Sequence, residues 1–160
     1  MRHLLLPLLI LTLAGTPALA ELSDCPSGGV RLLAPNGEER ARYRVRVART
    51  PQERERGLMF VEEMPADEGM LFLFDEPSEV GFWMRDTLIP LDLIFIEATG
   101  RIVRIHPDAI PHDETPIWSG SAVTGVLELN GGAAGRAGAV PGDMVSSPFF
   151  AALCGSSADR

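Results

Sequence analysis

GMLFLF at residues 69–74 is the first of four short apolar runs, and VGFWM at 80–84, LDLIFI at 91–96 and RIVRI at 101–105 follow it. Each run has the length of a β-strand, and turn-forming residues separate it from the next. The runs at 69–74 and 91–96 are apolar at successive positions, which indicates strands that are buried on both faces. We therefore predict that these two strands are central in a sheet.

The regions on either side of these runs extend the same pattern. Upstream, ARYRVRVA at 41–48 alternates between arginine and apolar residues, as a half-buried antiparallel strand does. Residues 30–34 form a second candidate strand, and Asn36-Gly37 predicts a hairpin turn between the two. Downstream, residues 122–129 add another strand. About seven strands in one chain favour a β-sandwich or barrel.

Two short helices interrupt the strands in this prediction. Thr50-Pro51-Gln52-Glu53 has the residues of a helix start: Thr50 caps, Pro51 needs no N–H donor there, and Glu53 completes a capping box. Gly57 ends this helix, which we expect to cover one end of a sheet. GGAAGRAG after Asn130 indicates a second short helix or a Gly-rich loop. The predicted class is therefore all-β, mainly antiparallel, with one or two short helices.

Length and charge limit the classes of function. The chain has 160 residues and a formal net charge of −8, and every basic residue is arginine. This length suits one domain, and the acidity argues against nucleic acid as a partner. No catalytic signature and no cofactor motif stands out, so we predict no cofactor, leave open whether the protein is an enzyme, and expect a monomer.

The N-terminus has the pattern of an export signal. Arg2 precedes an apolar run from Leu4 to Leu13, and Ala18-Leu19-Ala20 provides the small residues that signal peptidase reads. We predict a signal peptide at 1–20, cleavage after Ala20, and a periplasmic or secreted domain at 21–160. An uncleaved N-terminal anchor is the alternative. No second long apolar stretch follows, so no transmembrane segment is expected in the mature chain.

Two cysteines, Cys25 and Cys154, lie near the two ends of the mature chain. An even count in an exported protein predicts a disulfide, which would tie the tail at 146–160 back to the domain. Two free thiols with a redox or metal role are the alternative.

Residues 83–92 carry the densest group of candidate binding residues. Trp83 would stack on a ligand ring, while Arg85, Asp86 and Thr87 would bind its polar groups. Trp118 would form an opposing wall. The competing interpretation is that Trp83 packs at the edge of the core and that Arg85-Asp86 is a solvated corner.

Asp92 and Glu128 are the candidate acids. Asp92 lies in an apolar row with Ile94 and Ile96, and Glu128 shares a strand face with Val126. A buried carboxylate needs hydrogen-bond donors or changes its pKa. Asp92 either accepts backbone N–H groups from the loop at 87–89 or acts as a tuned acid beside Arg85. If Asp92 and Glu128 converge, a paired-carboxylate hydrolase is conceivable.

Three weaker patterns complete the candidates. His106 and His112 are six residues apart without a metal-binding motif, so we predict no metal site and keep them as weak candidates. A copper(I) site would use the methionines Met59, Met64, Met70 and Met84, which are more often core filler. Seven arginines fall within residues 40–56 and could contact an anionic partner, although interleaved glutamates favour a salt-bridged surface.

Several pieces of the chain together resemble one family, named domain of unknown function 192 and also uncharacterised protein family 0127. The pieces follow the order of that family: Thr50-Pro51 with Glu53, Arg56-Gly57-Leu58-Met59, Glu68-Gly69-Met70-Leu71-Phe72, Phe82-Trp83-Met84, Thr87, Pro90-Leu91-Asp92 with Phe95, and Val126-Leu127-Glu128 through Gly142-Asp143. The resemblance covers about residues 41–145. It implies a compact jelly-roll-like β-sandwich that is often exported in bacteria, and it implies no activity. Between Met84 and Thr87 the family tends towards Lys-Asn, whereas this chain has Arg85-Asp86.

These observations predict a small exported domain that binds a small ligand or an envelope partner through the region from Trp83 to Asp92. The alternative is a hydrolase that acts on an envelope or extracellular carbohydrate with Asp92 and Glu128 as its acids.

Overall fold

The computed structural model describes residues 29–150 as a curled sheet, a two-stranded ribbon and two short helices. The elements are β1 (Gly29–Leu33), β2 (Glu39–Ala48), α1 (Pro51–Arg56), β3 (Glu68–Ser78), β4 (Gly81–Phe82), β5 (Leu91–Ile96), β6 (Ile102–Ala109), β7 (Ile117–Trp118), β8 (Val123–Asn130), α2 (Ala133–Ala137) and β9 (Met144–Ser146). The all-β prediction with two short helices is confirmed.

Seven strands form one sheet in the order β6-β5-β8-β3-β2-β1-β9, and β4 and β7 form the separate ribbon. Five of the six neighbouring pairs in the sheet are antiparallel, as predicted. The sheet curls into a half-barrel, and its two end strands meet where Arg101 bridges Met144. The runs predicted to be central are β3 and β5, which both lie inside the sheet.

The two faces of the sheet carry separate hydrophobic cores. All seven strands contribute to the core that we call inner, including Leu32, Ile94, Leu127 and Val145, and α2 closes one end of it. The outer core lies on the other face and contains Phe72 and Phe95, among other residues. Side chains alternate between the faces along each strand, so neighbours in sequence belong to different cores.

Two local predictions agree with the structure in detail. β1 and β2 form the predicted antiparallel hairpin, and Gly37 in its turn has a φ of 85°. The capping box at α1 is formed, because the Thr50 hydroxyl accepts the Glu53 N–H and the Glu53 carboxylate accepts the Thr50 N–H. The N–H groups of Thr50 and Arg49, which both donate to the Glu53 carboxylate, lower the pKa of Glu53.

The position of α1 differs from the prediction. β2 pairs with β3 in parallel, and parallel neighbours require a crossover connection. α1 and the loop at 57–67 are that crossover, and Leu58 of the loop packs into the outer core. α1 itself buries no residue and forms a wall above the outer face instead of covering the end of the sheet.

Several predictions concern residues outside 29–150. The signal peptide at 1–20, its cleavage after Ala20 and the disulfide between Cys25 and Cys154 all depend on such residues and stay predictions. Phe150, at the start of the predicted tail, is buried in the inner core. Within residues 29–150, neither helix has the length or apolar character needed to cross a bilayer.

Candidate functional site

A pocket of about 390 Å³ lies between α1, the β4 ribbon and the outer face of the sheet. We call it the Glu128 pocket after the acid that lines it. Most of its surface is apolar or aromatic, and its charged groups come from α1, from Arg85 and from β8. The lining residues that the argument uses are Arg56, Phe72, Phe82, Trp83, Arg85 and Glu128.

The end of α1 forms the first wall. Gly57 ends the helix with a φ of 46°, which a side chain adopts only with strain, and a Cβ atom there would lie 3.2 Å from the Phe72 ring. Glycine therefore lets the backbone lie directly against an aromatic ring of the sheet. Arg54 fixes the helix to β3, because its Nη1 donates to the Leu73 carbonyl at 2.9 Å.

The β4 strand and the residues after it form the second wall. The Phe82 ring contacts the Phe72 ring edge to face, with centroids 5.0 Å apart. Trp83 follows and is 46% exposed, and the Arg85 guanidinium lies 4.5 Å from the centre of its ring. Thr87 is buried, and its hydroxyl donates to the Arg85 carbonyl at 3.3 Å. This wall presents an aromatic surface with one cation at its edge.

One backbone hydrogen bond joins the two walls. The Phe60 N–H donates to the Asp86 carbonyl at 2.8 Å, and both residues have positive φ angles, 61° and 54°. Such conformations cost about 1–3 kcal/mol each in non-glycine residues and concentrate at functional sites. The strained pair holds the loop after α1 against the loop after β4, beside the entrance of the pocket.

Glu128 is the buried acid of the pocket. Its Cα partners are Met70 on β3 and Leu93 on β5, so its carboxyl group lies among apolar side chains of the outer core. The residue is 5% exposed, and no donor among residues 29–150 lies within hydrogen-bonding distance of its buried Oε2. A buried carboxyl oxygen without a hydrogen bond destabilises the fold, and such groups in native proteins often have a functional role.

Burial changes the protonation of Glu128. Loss of hydration disfavours the charged form and raises the pKa of this carboxyl group from 4.5 to about 8. The group is therefore mainly a neutral acid at pH 7, able to donate one hydrogen bond and to accept others.

Asp92 is also buried, but hydrogen-bond donors surround its carboxyl group. It is fully buried on β5, and its Oδ1 accepts the N–H groups of Asp108 and Gly132, each at 2.9 Å. Its Oδ2 accepts the Ala134 N–H at 2.8 Å, at the start of α2. The predicted donors at 87–89 were wrong, because Asp108 near the end of β6 and the start of α2 at 132–134 supply these bonds instead. Asp92 thus anchors α2 and is absent from the Glu128 pocket.

The structure does not bring Asp92 and Glu128 together. Cross-strand partners share a sheet face, and Asp92 pairs with Leu129 while Glu128 pairs with Leu93. The two carboxyl groups therefore point to opposite faces. The paired-acid arrangement of the hydrolase hypothesis is not formed.

The other residues predicted to bind a ligand do not all lie at one pocket. Trp83, Arg85 and Thr87 line the Glu128 pocket, whereas Asp86 and Trp118 do not. Trp118 is 52% exposed, and its ring lies against Gly81, where a Cβ atom would be 3.1 Å away. It faces a different groove, of about 320 Å³, together with His106 and Asp113. The predicted opposing wall is therefore α1 and not Trp118.

The metal candidates do not form a ligand set. In the part of the chain from 29 to 150, no three His, Cys, Asp or Glu side chains could together hold a metal ion, and His106 and His112 are no exception. Met64, Met70 and Met84 are buried in the outer core, while Met59 lines the pocket.

The arginine-rich strand β2 is largely neutralised by acids. Arg40 pairs with the buried Asp143 at 2.7 Å, and Arg44 pairs with Asp67 and Glu68, each at 3.1 Å. Arg42 pairs with Glu39 at 3.3 Å. These contacts agree with the salt-bridged interpretation of this surface.

The comparisons with known proteins identify the family. The family model for domain of unknown function 192, described as "Uncharacterized ACR", matches residues 32–147. The chain belongs to this family. It is similar to a protein of Sinorhizobium meliloti with a suggested role as a transcription regulator, at 42% identity and a TM-score of 0.72 over 79% of this chain and 96% of that one.

A second solved structure is also similar to this member of the domain of unknown function 192 family. It is a protein of unknown function from Novosphingobium aromaticivorans, with 41% identity and a TM-score of 0.70 over 82% of this chain and 93% of that one. No curated protein matches the chain.

The sequence interpretation missed the wall from α1 and the arginine at its end. A signal for both was present, because Arg56-Gly57-Leu58-Met59 is one of the pieces that match domain of unknown function 192. Phe82-Trp83, Thr87 and Glu128 belong to other matching pieces, and all of them line one pocket. Pieces that are distant in sequence but contribute to family identity thus converge on the Glu128 pocket.

Proposed function

We propose that this protein binds a small molecule in the Glu128 pocket. One observation carries the proposal: a carboxyl group that is 5% exposed lines an accessible pocket, and its Oε2 has no partner among residues 29–150. A ligand that hydrogen-bonds the Glu128 carboxyl group would offset part of the cost of burying it.

The aromatic walls indicate the body of the ligand. Phe72, Phe82 and Trp83 surround a volume of about 390 Å³, within the range of small-molecule sites. Aromatic rings favour flat or apolar groups, which they contact by offset stacking or edge to face. The body of the ligand is therefore apolar, and an aromatic ring suits it well.

Glu128 indicates the polar group of the ligand. Because burial raises the pKa of Glu128 to about 8, the neutral acid can donate its proton to an acceptor oxygen at pH 7. A carbonyl or amide oxygen fits this role. The site then has one directional polar contact at its apolar end, which would fix the orientation of the ligand.

The test uses tryptophan fluorescence with simple probes. The chain has two tryptophans, so Trp118→Phe leaves Trp83 as the reporter at the pocket. Into this variant we would titrate 4-phenylbutyramide, 4-phenylbutyrate and 4-phenylbutylammonium, which share one apolar body. We expect saturable quenching by at least one probe, and weaker binding of the amide by about tenfold after Glu128→Leu.

Glu128→Gln serves as the matched control, because glutamine keeps a donor and an acceptor at the same place. It should retain most of the affinity for the amide. Equal affinities in the parent protein and in Glu128→Leu would contradict the proposal, as would the absence of saturable binding by all three probes.

We also propose that the domain acts after export, in the periplasm or outside the cell. The signal-like segment at 1–20 and the even number of cysteines support this proposal. Intact mass spectrometry of the protein from an exporting host should find a chain that starts at Glu21 and lacks two thiol hydrogens. A chain that retains residues 1–20, or two alkylatable thiols, would contradict it.

A further inference from the structure

A second pocket adjoins the Glu128 pocket beside α1. This annex has a volume of about 380 Å³ and is lined by Gln52, Glu55, Arg56, Met59, Phe60 and Arg85. Four of these residues, Glu55, Arg56, Met59 and Arg85, also line the main pocket. Arg56 and Arg85 therefore lie at the boundary between the Glu128 pocket and the annex.

The two guanidinium groups at this junction differ from those of β2. Arg40 and Arg44 form ion pairs with carboxylates, whereas neither the Arg56 nor the Arg85 guanidinium forms a hydrogen bond or ion pair within residues 29–150. The one contact that we find for the Arg85 guanidinium is the Trp83 ring. The N–H donors of Arg56 and Arg85 are thus available to a ligand where the two pockets meet.

The charge at the junction is positive in a protein that is acidic overall. Arg54, Arg56 and Arg85 line the Glu128 pocket together with two acids, Glu55 and Glu128, and Glu128 is mainly neutral at pH 7. The whole chain carries a formal charge of −8. A local excess of cations in such a chain favours an anionic group at this point.

We propose that the ligand of the Glu128 pocket is an amphipathic anion, with its apolar body between Phe72, Phe82 and Trp83 and its anionic head at Arg56 and Arg85. This inference rests on the proposed function and adds the class of ligand to it. The head group is a carboxylate, sulfonate or phosphate, since guanidinium groups bind all three through charge-assisted hydrogen bonds.

The three phenylbutyl probes separate this inference from the proposed function, because they share one apolar body and carry a neutral, an anionic or a cationic head group. At pH 7 and low salt, 4-phenylbutyrate should bind about tenfold more tightly than 4-phenylbutyramide, and the ammonium probe should bind most weakly. Added salt should narrow the difference between the acid and the amide, because the arginines are accessible to solvent.

The double variant Arg56→Gln with Arg85→Gln should remove the preference for the acid and leave the affinity for the amide within about twofold of the parent. Arg46→Gln with Arg101→Gln is the matched control, because these arginines lie outside both chambers and removing them changes the net charge equally. The control variant should still bind 4-phenylbutyrate more tightly than 4-phenylbutyramide.

The outcomes are distinct. Equal binding of acid and amide, or a preference for the ammonium probe, would overturn the anionic ligand while leaving the proposed pocket intact. A preference for the acid that survives the double variant would also overturn it. The absence of saturable binding by all three probes would overturn both proposals.

Discussion

Asp92 and Glu128 are buried carboxylic acids on adjacent strands, but their surroundings are opposite. Asp92 faces the inner core and accepts three backbone N–H groups. Glu128 faces the outer core, and no described residue donates to its Oε2. The register between β5 and β8 places the two carboxyl groups on opposite faces of the sheet. A shift of one strand by one residue would place both groups on the same face.

This difference distinguishes an acid that stabilises the fold from an acid that is available to a ligand. The donors to Asp92 lie at Asp108 in β6 and at the start of α2, so its carboxyl group holds both elements against β5. Glu128 holds no loop and lines a pocket instead. The same residue class thus contributes to stability on one face and, in our proposal, to recognition on the other.

Asp92→Asn should have the largest effect on folding. Asparagine keeps one acceptor oxygen, but its NH₂ group would face the N–H of Ala134 or the other donors. We expect a loss of about 3 kcal/mol in the free energy of unfolding, measured by urea denaturation. A loss below about 0.5 kcal/mol would show that the three amide contacts do not anchor α2.

Glu128→Gln should change the free energy of unfolding in the opposite direction and stabilise the fold. The neutral amide avoids burying a charge, so at pH 9 the variant should be about 2 kcal/mol more stable than the parent in the same assay. Destabilisation by Glu128→Gln at this pH would mean that the ionised carboxylate has donors in the fold, which would remove the contrast with Asp92.

The stability of the parent should depend on pH through Glu128. The folded protein holds this proton more tightly than the unfolded chain, with pKa values of about 8 and 4.5. The contribution of Glu128 is therefore intact below pH 4.5 and is lost as the pH rises towards 8, with a slope of up to about 1.4 kcal/mol per pH unit. The difference between the parent and Glu128→Gln isolates this slope, and a difference that is constant from pH 5 to 8 would contradict it.

The affinity for the ligand should also depend on the protonation of Glu128. If the ligand accepts a hydrogen bond from neutral Glu128, the affinity for 4-phenylbutyramide should fall above pH 8, by up to about tenfold per pH unit. Isothermal titration calorimetry between pH 6 and 10 measures this fall. In Glu128→Gln the affinity for the amide should stay constant over that range, and a parallel fall in both proteins would assign the effect to another group.

The two tryptophans allow a smaller test of where the ligand binds. Trp83→Ala should weaken binding of 4-phenylbutyrate by about tenfold, since one ring contact is lost, while the melting temperature changes little. Trp118→Ala is the control of equal size and comparable exposure, and it should leave the affinity unchanged. An equal loss in both variants would place the probe elsewhere.

Much of the fold could be predicted from local pattern. The alternation at 41–48, the Asn36-Gly37 turn and the capping box at Thr50 depend on residues that are close in sequence, and all three are present. The parallel pairing of β2 with β3 could not be predicted, because it depends on contacts between distant segments. Consequently the path of the crossover and the wall that α1 forms were also missed.

The site could be predicted only in part for the same reason. Alternation along β5 and β8 gave the correct neighbours of Asp92 and Glu128, namely Ile94 and Val126. Whether the two acids meet depends on the register between the strands, where Asp92 pairs with Leu129. The donors to Asp92 come from β6 and from the start of α2, 16 to 42 residues away along the chain, a distance that no local pattern covers.

The most direct test of the account is a titration of the Glu128 carboxyl group by carbon-detected NMR, with Glu128→Gln to assign its signal. We predict a midpoint near 8 in the free protein, and a higher midpoint with saturating 4-phenylbutyramide, because the ligand accepts a hydrogen bond from the protonated form. A midpoint near 4.5 that the probe does not change would contradict the central claim that this acid is held neutral for a ligand.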